Sequence, residues 1–193
     1  MNLYSPSRPF TTPSPAIDAS PLPKVYRLLH EDDWRQIEFV AHTNHAHIQK
    51  ELAALGAFKG QHRRGAGWTK VYIRREHPTP LAMVGLRWVD MPAFPASALG
   101  VGSGAPWGGT VKGGFALSDG GRWFIYGQRT EDGRILQLGM SASRSSPSEL
   151  FAQAVSQLTK KAGLLLVDWY AGSLVDTSSL ESVLAWAAEY LKS

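Results

Sequence analysis

The segment SPSELFAQAVSQLTKKAGLLLVDWYAGSLVDTSSLESVLAWAAEYLK, residues 146–192, decides the fold class because its helix and strand signals follow one another without a gap. Ser146, Pro147 and Glu149 supply an N-cap, a first-turn proline and an N3 acid, which together predict the start of a helix. Gly163, which follows two lysines, predicts its end, because glycine readily turns left-handed and cations suit a helix C-terminus.

Two strands and a second helix are predicted after Gly163. Residues 164–170, LLLVDWY, are apolar on both faces, as a covered strand would be. The dipeptide at 171–172 predicts a tight turn. Ser178 and Glu181 form a second capping box, and leucines then recur at helical spacing to the end of the chain. This order of helix, strand, strand and helix predicts an α+β domain.

The N-terminal part divides into an arm and the start of the domain. Residues 1–23 contain six prolines among serines and threonines, which predicts a flexible, extended arm. A single globular domain is expected over residues 24–193. Its first elements are a short strand over Val25–Leu29 and a second helix-forming segment from Thr43 to Gly56. Between them Glu31–Val40 is predicted as a helix, although Ile37 and Phe39 also suit a strand.

The middle of the chain favours β structure. The segments Trp68–Arg74 and Leu81–Val89 are predicted as strands, as are Arg122–Arg129 and Arg134–Met140, which flank a hairpin turn at 131–133. The predicted fold is therefore α+β, with a central, mostly antiparallel sheet flanked by helices.

Composition excludes several classes of protein. The 193 residues are 44% hydrophobic and 19% charged, which is typical of a globular chain, and cysteine is absent. Disulfides, thiolate catalysis and cysteine-ligated metal sites are thereby excluded. The start of the chain does not resemble a signal peptide, and no apolar run approaches about 18 residues. We expect a cytoplasmic protein with no membrane association and no cofactor.

Two motif-like segments lack the context that their chemistry requires. The glycines of 100–105 match a dinucleotide fingerprint, but neither a strand before them nor a helix after them is predicted. We interpret this region as a flexible glycine-rich loop on which Trp107 anchors a partner or covers the core. His42, His45 and His47 cannot share one helix face, and no metal site is expected there.

A cluster of basic residues is the clearest candidate surface. Six cations occur between residues 59 and 75 without an intervening acid, in a chain of net charge +4. Such a patch attracts nucleic acid, an acidic protein surface or an anionic small molecule, although it is also compatible with an ordinary solvated face. The candidate partner-binding residues, with Trp107 from the loop, are Arg63, Arg64, Trp68, Lys70, Tyr72 and Arg74.

Asp168 and Asp176 are candidate structural acids. In the predicted strand Asp168 shares a face with apolar residues, so it needs hydrogen-bond donors nearby. A hairpin could also bring the two carboxylates together in an acid–base pair. We favour the structural interpretation and predict no catalytic residue.

The segment from Gly163 to Trp169, together with Ser173–Asp176 and the terminal helix, resembles immunity proteins of bacterial polymorphic toxin systems, including those that guard against type VI secretion effectors. The resemblance implies a cytoplasmic, non-catalytic protein that binds a cognate toxin and occludes its active site. The basic charge of this chain favours an acidic toxin surface over mimicry of nucleic acid. Nucleic-acid binding through residues 59–75 is the second interpretation, and an enzyme of unrecognised type is the third.

Overall fold

The computed structural model describes residues 10–11, 17–18, 26–64, 67–102, 108–141 and 145–192. The helices in these ranges are α1 (His45–His62), α2 (Glu149–Ala162) and α3 (Leu180–Tyr190). The strands are β1 (Phe10–Thr11), β2 (Ile17–Asp18), β3 (Tyr26–Leu29), β4 (Ile37–Ala41), β5 (Arg63–Arg64), β6 (Gly67–Trp68), β7 (Tyr72–Ile73), β8 (Ala96–Gly102), β9 (Gly108–Leu117), β10 (Phe124–Arg129), β11 (Ile135–Ser141), β12 (Leu164–Asp168) and β13 (Ser173–Val175).

A large sheet forms the centre of the fold. Its strand order is β13-β12-β4-β11-β10-β9-β8-β3, and β2 also pairs with β9. Every neighbouring pair is antiparallel except β3 and β8. The predicted class, α+β with a mostly antiparallel sheet and helices, is therefore confirmed.

The two faces of the sheet pack differently. One face carries the main core, in which Phe151, Val155 and Leu158 of α2 pack with residues such as Phe39 and Leu166. On the opposite face Ile48 and Leu55 of α1 pack with Val40, Val167 and Trp169, and a separate apolar cluster contains Leu29, Trp34, Val101 and Tyr126. A group of buried charges lies between these two clusters and is described below.

The C-terminal helices begin slightly later than predicted. Ser148, not Ser146, is the N-cap of α2, and its hydroxyl accepts a hydrogen bond from Phe151 N at 3.0 Å. Ser179, not Ser178, is the N-cap of α3. In both cases a nearby serine had equivalent capping chemistry, which the sequence does not distinguish. Gly163 ends α2 in the left-handed conformation, as predicted.

Two predicted elements in the first half of the domain are wrong. Residues 31–40 form a short 3-10 helix and then β4, because β4 is buried along its whole length between β12 and β11. Arg35, at φ 58°, also interrupts any helix there. Leu81–Val89 is not a strand but contains 3-10 helices at Leu81–Val84 and Trp88–Asp90.

Helix α1 also differs from its prediction. It follows Asn44 rather than Thr43, and it passes Gly56 to end at His62. Asn44 does not cap the helix with its side chain, because that amide bonds to the backbone of Thr79 instead. A glycine inside a helix is permitted when the apolar stripe continues past it, at a cost of about 1 kcal/mol relative to alanine.

The glycine-rich middle is largely strand. Residues 96–102 and 108–117 form β8 and β9, whereas the sequence indicated a loop over much of this region. Gly113, at φ 68°, shows why glycine is required in β9: a Cβ there would lie 2.2 Å from Arg129 O. Trp107 and its anchoring or covering role lie outside the described residues.

The predicted N-terminal arm is described only in part. Strand β1 pairs in parallel with β7, and β2 pairs with β9. The rest of residues 1–23 lies outside the described residues, so the division into a flexible arm and one domain stays a prediction. Among the helices in the described ranges, none is both long enough and apolar enough to cross a membrane.

Candidate functional site

Glu38 is the centre of a buried group of charges on the α1 side of the sheet. It lies in β4 and its side chain is 6% exposed. Its carboxylate oxygens lie within hydrogen-bond distance of four donors: Arg35 Nε at 2.6 Å, Arg74 Nη1 at 2.8 Å, Trp169 Nε1 at 3.1 Å and His77 Nε2 at 3.2 Å. We call these five residues, together with Glu76, the Glu38 cluster.

The environment of Glu38 keeps it ionised. Burial by itself raises the pKa of this carboxyl, but the nearby Arg74, Arg35 and His77 outweigh burial and hold the pKa far below its usual range. An ionised carboxylate accepts hydrogen bonds and cannot donate them. His77 Nε2–H therefore donates a hydrogen bond to Glu38, which keeps its negative charge. Glu38 is therefore unsuited to exchanging protons near neutral pH.

Arg74 is enclosed by this cluster. Its side chain is 2% exposed, and its guanidinium carbon lies 4.2 Å from the centroid of the Trp169 ring. A desolvated cation above an indole ring is stabilised by the ring quadrupole as well as by the ion pair. The ring of His77 stacks on the same tryptophan, with centroids 6.2 Å apart.

Arg35 holds a backbone conformation that is unusual for a residue with a side chain. Its φ of 58° is left-handed, which costs roughly 1–2 kcal/mol for a non-glycine residue. The surrounding contacts offset this cost: Tyr126 Oη accepts from Arg35 N at 2.7 Å, and the guanidinium bridges Glu38 and Glu76.

A second buried acid anchors the same chain segment to α1. Glu51 is 3% exposed and accepts a hydrogen bond from Tyr72 Oη at 2.9 Å. Together Glu51 and Glu38 hold residues 72–77 against the protein from two points. Ile73 and Arg75 lie on the outer side of this segment, and the side chain of each is 76% exposed.

A short hairpin projects from the end of α1. Strands β5 and β6 pair with Arg63 opposite Trp68, and Thr69 N donates to His62 O at 2.9 Å to close the base. Phe58 packs against the rings of both His62 and Tyr72. We call residues 62–64 and 67–70 the basic hairpin.

The candidate partner-binding residues divide between surface and interior. Arg63, Arg64 and Lys70 are exposed, Trp68 and Tyr72 are half-buried, and within the described residues no ion pair joins the three exposed cations to an acid. Arg74 requires a correction, because its burial against Trp169 and Glu38 removes it from the surface. Lys59 is half-buried and donates to Tyr170 O.

The two structural acid candidates, Asp168 and Asp176, lie in different environments. Asp168 is 1% exposed and accepts from Ala171 N at 2.9 Å and Trp186 Nε1 at 3.1 Å. Burial raises the pKa of Asp168, and these donors only partly oppose it. Asp176 is exposed and accepts from Ser178 N ahead of α3. Each carboxylate is thus bonded to its own neighbouring turn, as a structural role requires.

The histidines near the start of α1 do not form a metal site. His42 and His45 stack with centroids 6.0 Å apart, whereas His47 packs edge-on against His77. Across the part of the chain that the structure describes, no three histidine, cysteine or acidic side chains group as a metal ion would need.

The centre of the Glu38 cluster was not predicted from the sequence. Glu38 and Arg35 fell in a segment predicted as helix, and His77 fell between two predicted strands. The alternation of Ile37, Glu38 and Phe39 was a weak strand signal, but it did not show that Glu38 would be buried.

Comparison with known proteins adds no assignment. No protein-family model, curated protein or solved structure matches this chain.

Proposed function

We propose that this chain is a non-catalytic binding protein whose basic hairpin holds an acidic surface of a partner protein, and that the partner is a bacterial toxin that it neutralises as an immunity protein. The observation that carries the proposal is the set of exposed cations on the hairpin, at Arg63, Arg64 and Lys70. No acid occurs in the sequence between Lys59 and Arg75 to neutralise them.

The bonds that fix the hairpin to the rest of the protein support a binding role. Its base is closed by the bonds between His62 and Thr69, and the following segment is fixed through Tyr72 to the buried Glu51. Because the hairpin is rigidly attached, its side chains and loop lose less conformational entropy when a partner binds. The exposed Ile73 beside these cations adds apolar area that a protein partner would cover.

The acids in the interior support a non-catalytic role. Glu38 is surrounded by cations, and Asp168 is enclosed by donors from its own turn and from α3. A general acid or base needs a pKa near the working pH and access to a substrate proton. Neither carboxylate meets both requirements.

The identity of the partner rests on the resemblance of residues 163–176 to immunity proteins. The chemistry of the hairpin narrows the kind of contact, because complementary charge raises the association rate and disfavours partners of the same sign. We therefore propose that the toxin presents a cluster of carboxylates at or beside its active site, and that occlusion of this site neutralises it.

Nucleic-acid binding is a second candidate, favoured by the pairing of Arg63 with Trp68. This register places an exposed cation beside a half-buried indole. Phosphate contact combined with stacking is the way in which single strands are held.

Co-expression with a toxin encoded beside this gene tests the proposal. The wild-type chain is expected to protect the cell and to copurify with the toxin. Arg63→Glu with Arg64→Glu is expected to weaken binding by at least about 100-fold, since each reversal replaces an attraction with a repulsion. Lys160→Glu with Lys192→Glu is the matched control, because it changes the net charge equally at residues of α2 and the end of the chain.

The outcomes separate the two candidates. Absence of any complex, or full protection by the double hairpin variant, contradicts the immunity proposal. Binding to a labelled single-stranded DNA that weakens steeply with salt, and that the hairpin variant loses, supports the nucleic-acid alternative instead.

A further inference from the structure

The central sheet opens between β4 and β11. Strand β4 pairs with β12 along all of Ile37–Ala41, but it pairs with β11 only at Ile37 and Glu38. Beyond these residues β11 continues along β10 as far as Ile135, so β4 and β11 diverge. We call this gap the strand fork. It contains a cavity of about 230 Å³.

The edge of β4 directs peptide groups into the fork. Gln36 O accepts from Trp169 N, so the peptide groups of Gln36 face β12. In an antiparallel strand these groups alternate in direction from one residue to the next. Those of Phe39 and Ala41 therefore face the opposite side. Phe39 N still donates to Leu138 O in the last bridge to β11, and beyond it the peptide groups of Ala41 face the cavity.

Two side chains on the cavity wall have buried polar atoms without a partner within the described residues. The side chain of His77 is 8% exposed, and its Nδ1 has no hydrogen-bond partner among the described residues. Gln137 Oε1 is also buried and unpartnered within the described ranges. An unsatisfied buried polar atom destabilises the folded chain, and a ligand that bonds to it removes this cost.

The other wall groups limit the charge and shape of a ligand. Arg35 carries a positive charge, Glu38 and Glu76 carry negative charges, and Arg74 behind Glu38 balances the total. A neutral molecule is therefore favoured over an ion. Pro80 and Leu81 supply an apolar side to the same cavity.

We propose that the strand fork binds a small, neutral, planar molecule of the aromatic carboxamide class, an N–H group of which donates to Gln137 Oε1. The carbonyl oxygen of the ligand accepts from the backbone N–H of Ala41 at the β4 edge, and its ring lies against Pro80 and Leu81. A cavity of 150 Å³ is known to hold benzene, so the larger fork accommodates a ring with a carboxamide. This site is separate from the basic hairpin and does not depend on its role.

Benzamide and acetophenone form a matched pair of probes. They have the same number of non-hydrogen atoms and nearly the same shape, but only benzamide donates hydrogen bonds. Titration of the full chain, followed by the amide and imidazole nitrogen signals of Gln137 and His77 in NMR spectra, gives both dissociation constants. Benzamide is expected to bind about ten-fold more tightly, which corresponds to about 1.4 kcal/mol for the bond donated to Gln137 Oε1.

Gln137→Leu and Gln128→Leu provide the variant and its control. Gln128 is the cross-strand partner of Gln137 on β10 but does not line the cavity. Gln137→Leu is expected to remove most of the preference for benzamide, by about five- to ten-fold, and to leave acetophenone unchanged. Gln128→Leu is expected to preserve the preference.

Three results would overturn the proposal. The first is the absence of benzamide binding, with no shift at Gln137 or His77. The second is equal affinity for the two probes. The third is a preference for benzamide that survives Gln137→Leu, because the donated bond would then lie elsewhere. Unfolding curves of the two variants check that each is folded before its titration is interpreted.

Discussion

Arg63 and Arg74 belong to the same basic stretch of sequence but lie in opposite environments. Arg63 is exposed on the basic hairpin, opposite Trp68. Arg74 is buried between Glu38 and the Trp169 ring. One arginine is available to a partner, whereas the other neutralises a carboxylate that lies 36 residues earlier in the chain.

This difference shows that a run of cations does not by itself define a binding surface. In the segment 72–77 Tyr72 and Arg74 are bonded to buried acids, while Ile73 and Arg75 are exposed. The strand-like alternation therefore divides one basic cluster into an interior half and an exterior half. Stability is expected to depend on the first half and partner binding on the second.

The largest expected effect is that of Glu38→Gln on stability. The substitution leaves Arg35 and Arg74 buried beside a neutral amide, and loss of one member of a buried ion pair costs about 3–5 kcal/mol. Urea denaturation measures the change in the free energy of unfolding. The control is Glu189→Gln, because Glu189 is exposed and its side chain pairs with Lys192 at the surface. This substitution should change the free energy of unfolding by less than about 0.5 kcal/mol.

The division of the basic cluster into an interior and an exterior half is tested directly by a comparison of Arg74→Met with Arg63→Met. Arg74→Met should lower the free energy of unfolding by about 2–3 kcal/mol, because Glu38 loses one of its partners and Trp169 loses the cation above its ring. Arg63→Met should change it by less than about 0.5 kcal/mol. Equal effects of the two substitutions in urea denaturation would show that the proposed division is wrong.

The pH dependence of stability isolates the ionised state of Glu38. In the folded state the pKa of Glu38 is lowered from its ordinary value of 4.5. The stability that ionised Glu38 contributes is therefore complete above about pH 4.5 and is lost as the pH falls below that value. Between about pH 4.5 and pH 3, the wild-type chain should lose about 1–2 kcal/mol more than Glu38→Gln does. Parallel unfolding curves at several pH values measure this difference, and identical slopes would contradict the assignment.

Tyr72→Phe tests where the boundary lies between the interior and the exterior half of the basic cluster. The substitution removes the hydroxyl that donates to Glu51, and it should cost about 1 kcal/mol without changing the charge of the basic hairpin. Thermal unfolding together with partner binding separates the two roles. If partner binding is lost while the chain remains folded, Tyr72 belongs to the contact surface and the boundary needs to be redrawn.

The parts of the fold that local signals specify were predicted well. The order of helix, strand, strand and helix after residue 146 and the hairpin around residues 131–133 were correct apart from small shifts at their ends. In these regions capping residues, turn glycines and apolar periodicity agree with one another. Residues 31–40 and 81–89 were assigned wrongly because pairing with distant strands and packing against the sheet determine their conformations.

The candidate site was predicted only in its exposed half. Consecutive basic residues are visible in the sequence, so Arg63, Arg64 and Lys70 could be selected. The burial of Arg74 depends on Glu38 and Trp169, which are distant in sequence. The strand fork depends on where β4 and β11 cease to pair, and no local sequence pattern marks that point.

The sequence by itself determined the α+β class, the absence of cysteine chemistry and the concentration of positive charge between residues 59 and 75, because each follows from composition or from signals a few residues apart. Only the tertiary structure decided which of those charges face the interior. Neutralisation of a buried carboxylate is a contact between residues far apart in the chain, and its partners are fixed when the strands of the sheet come together.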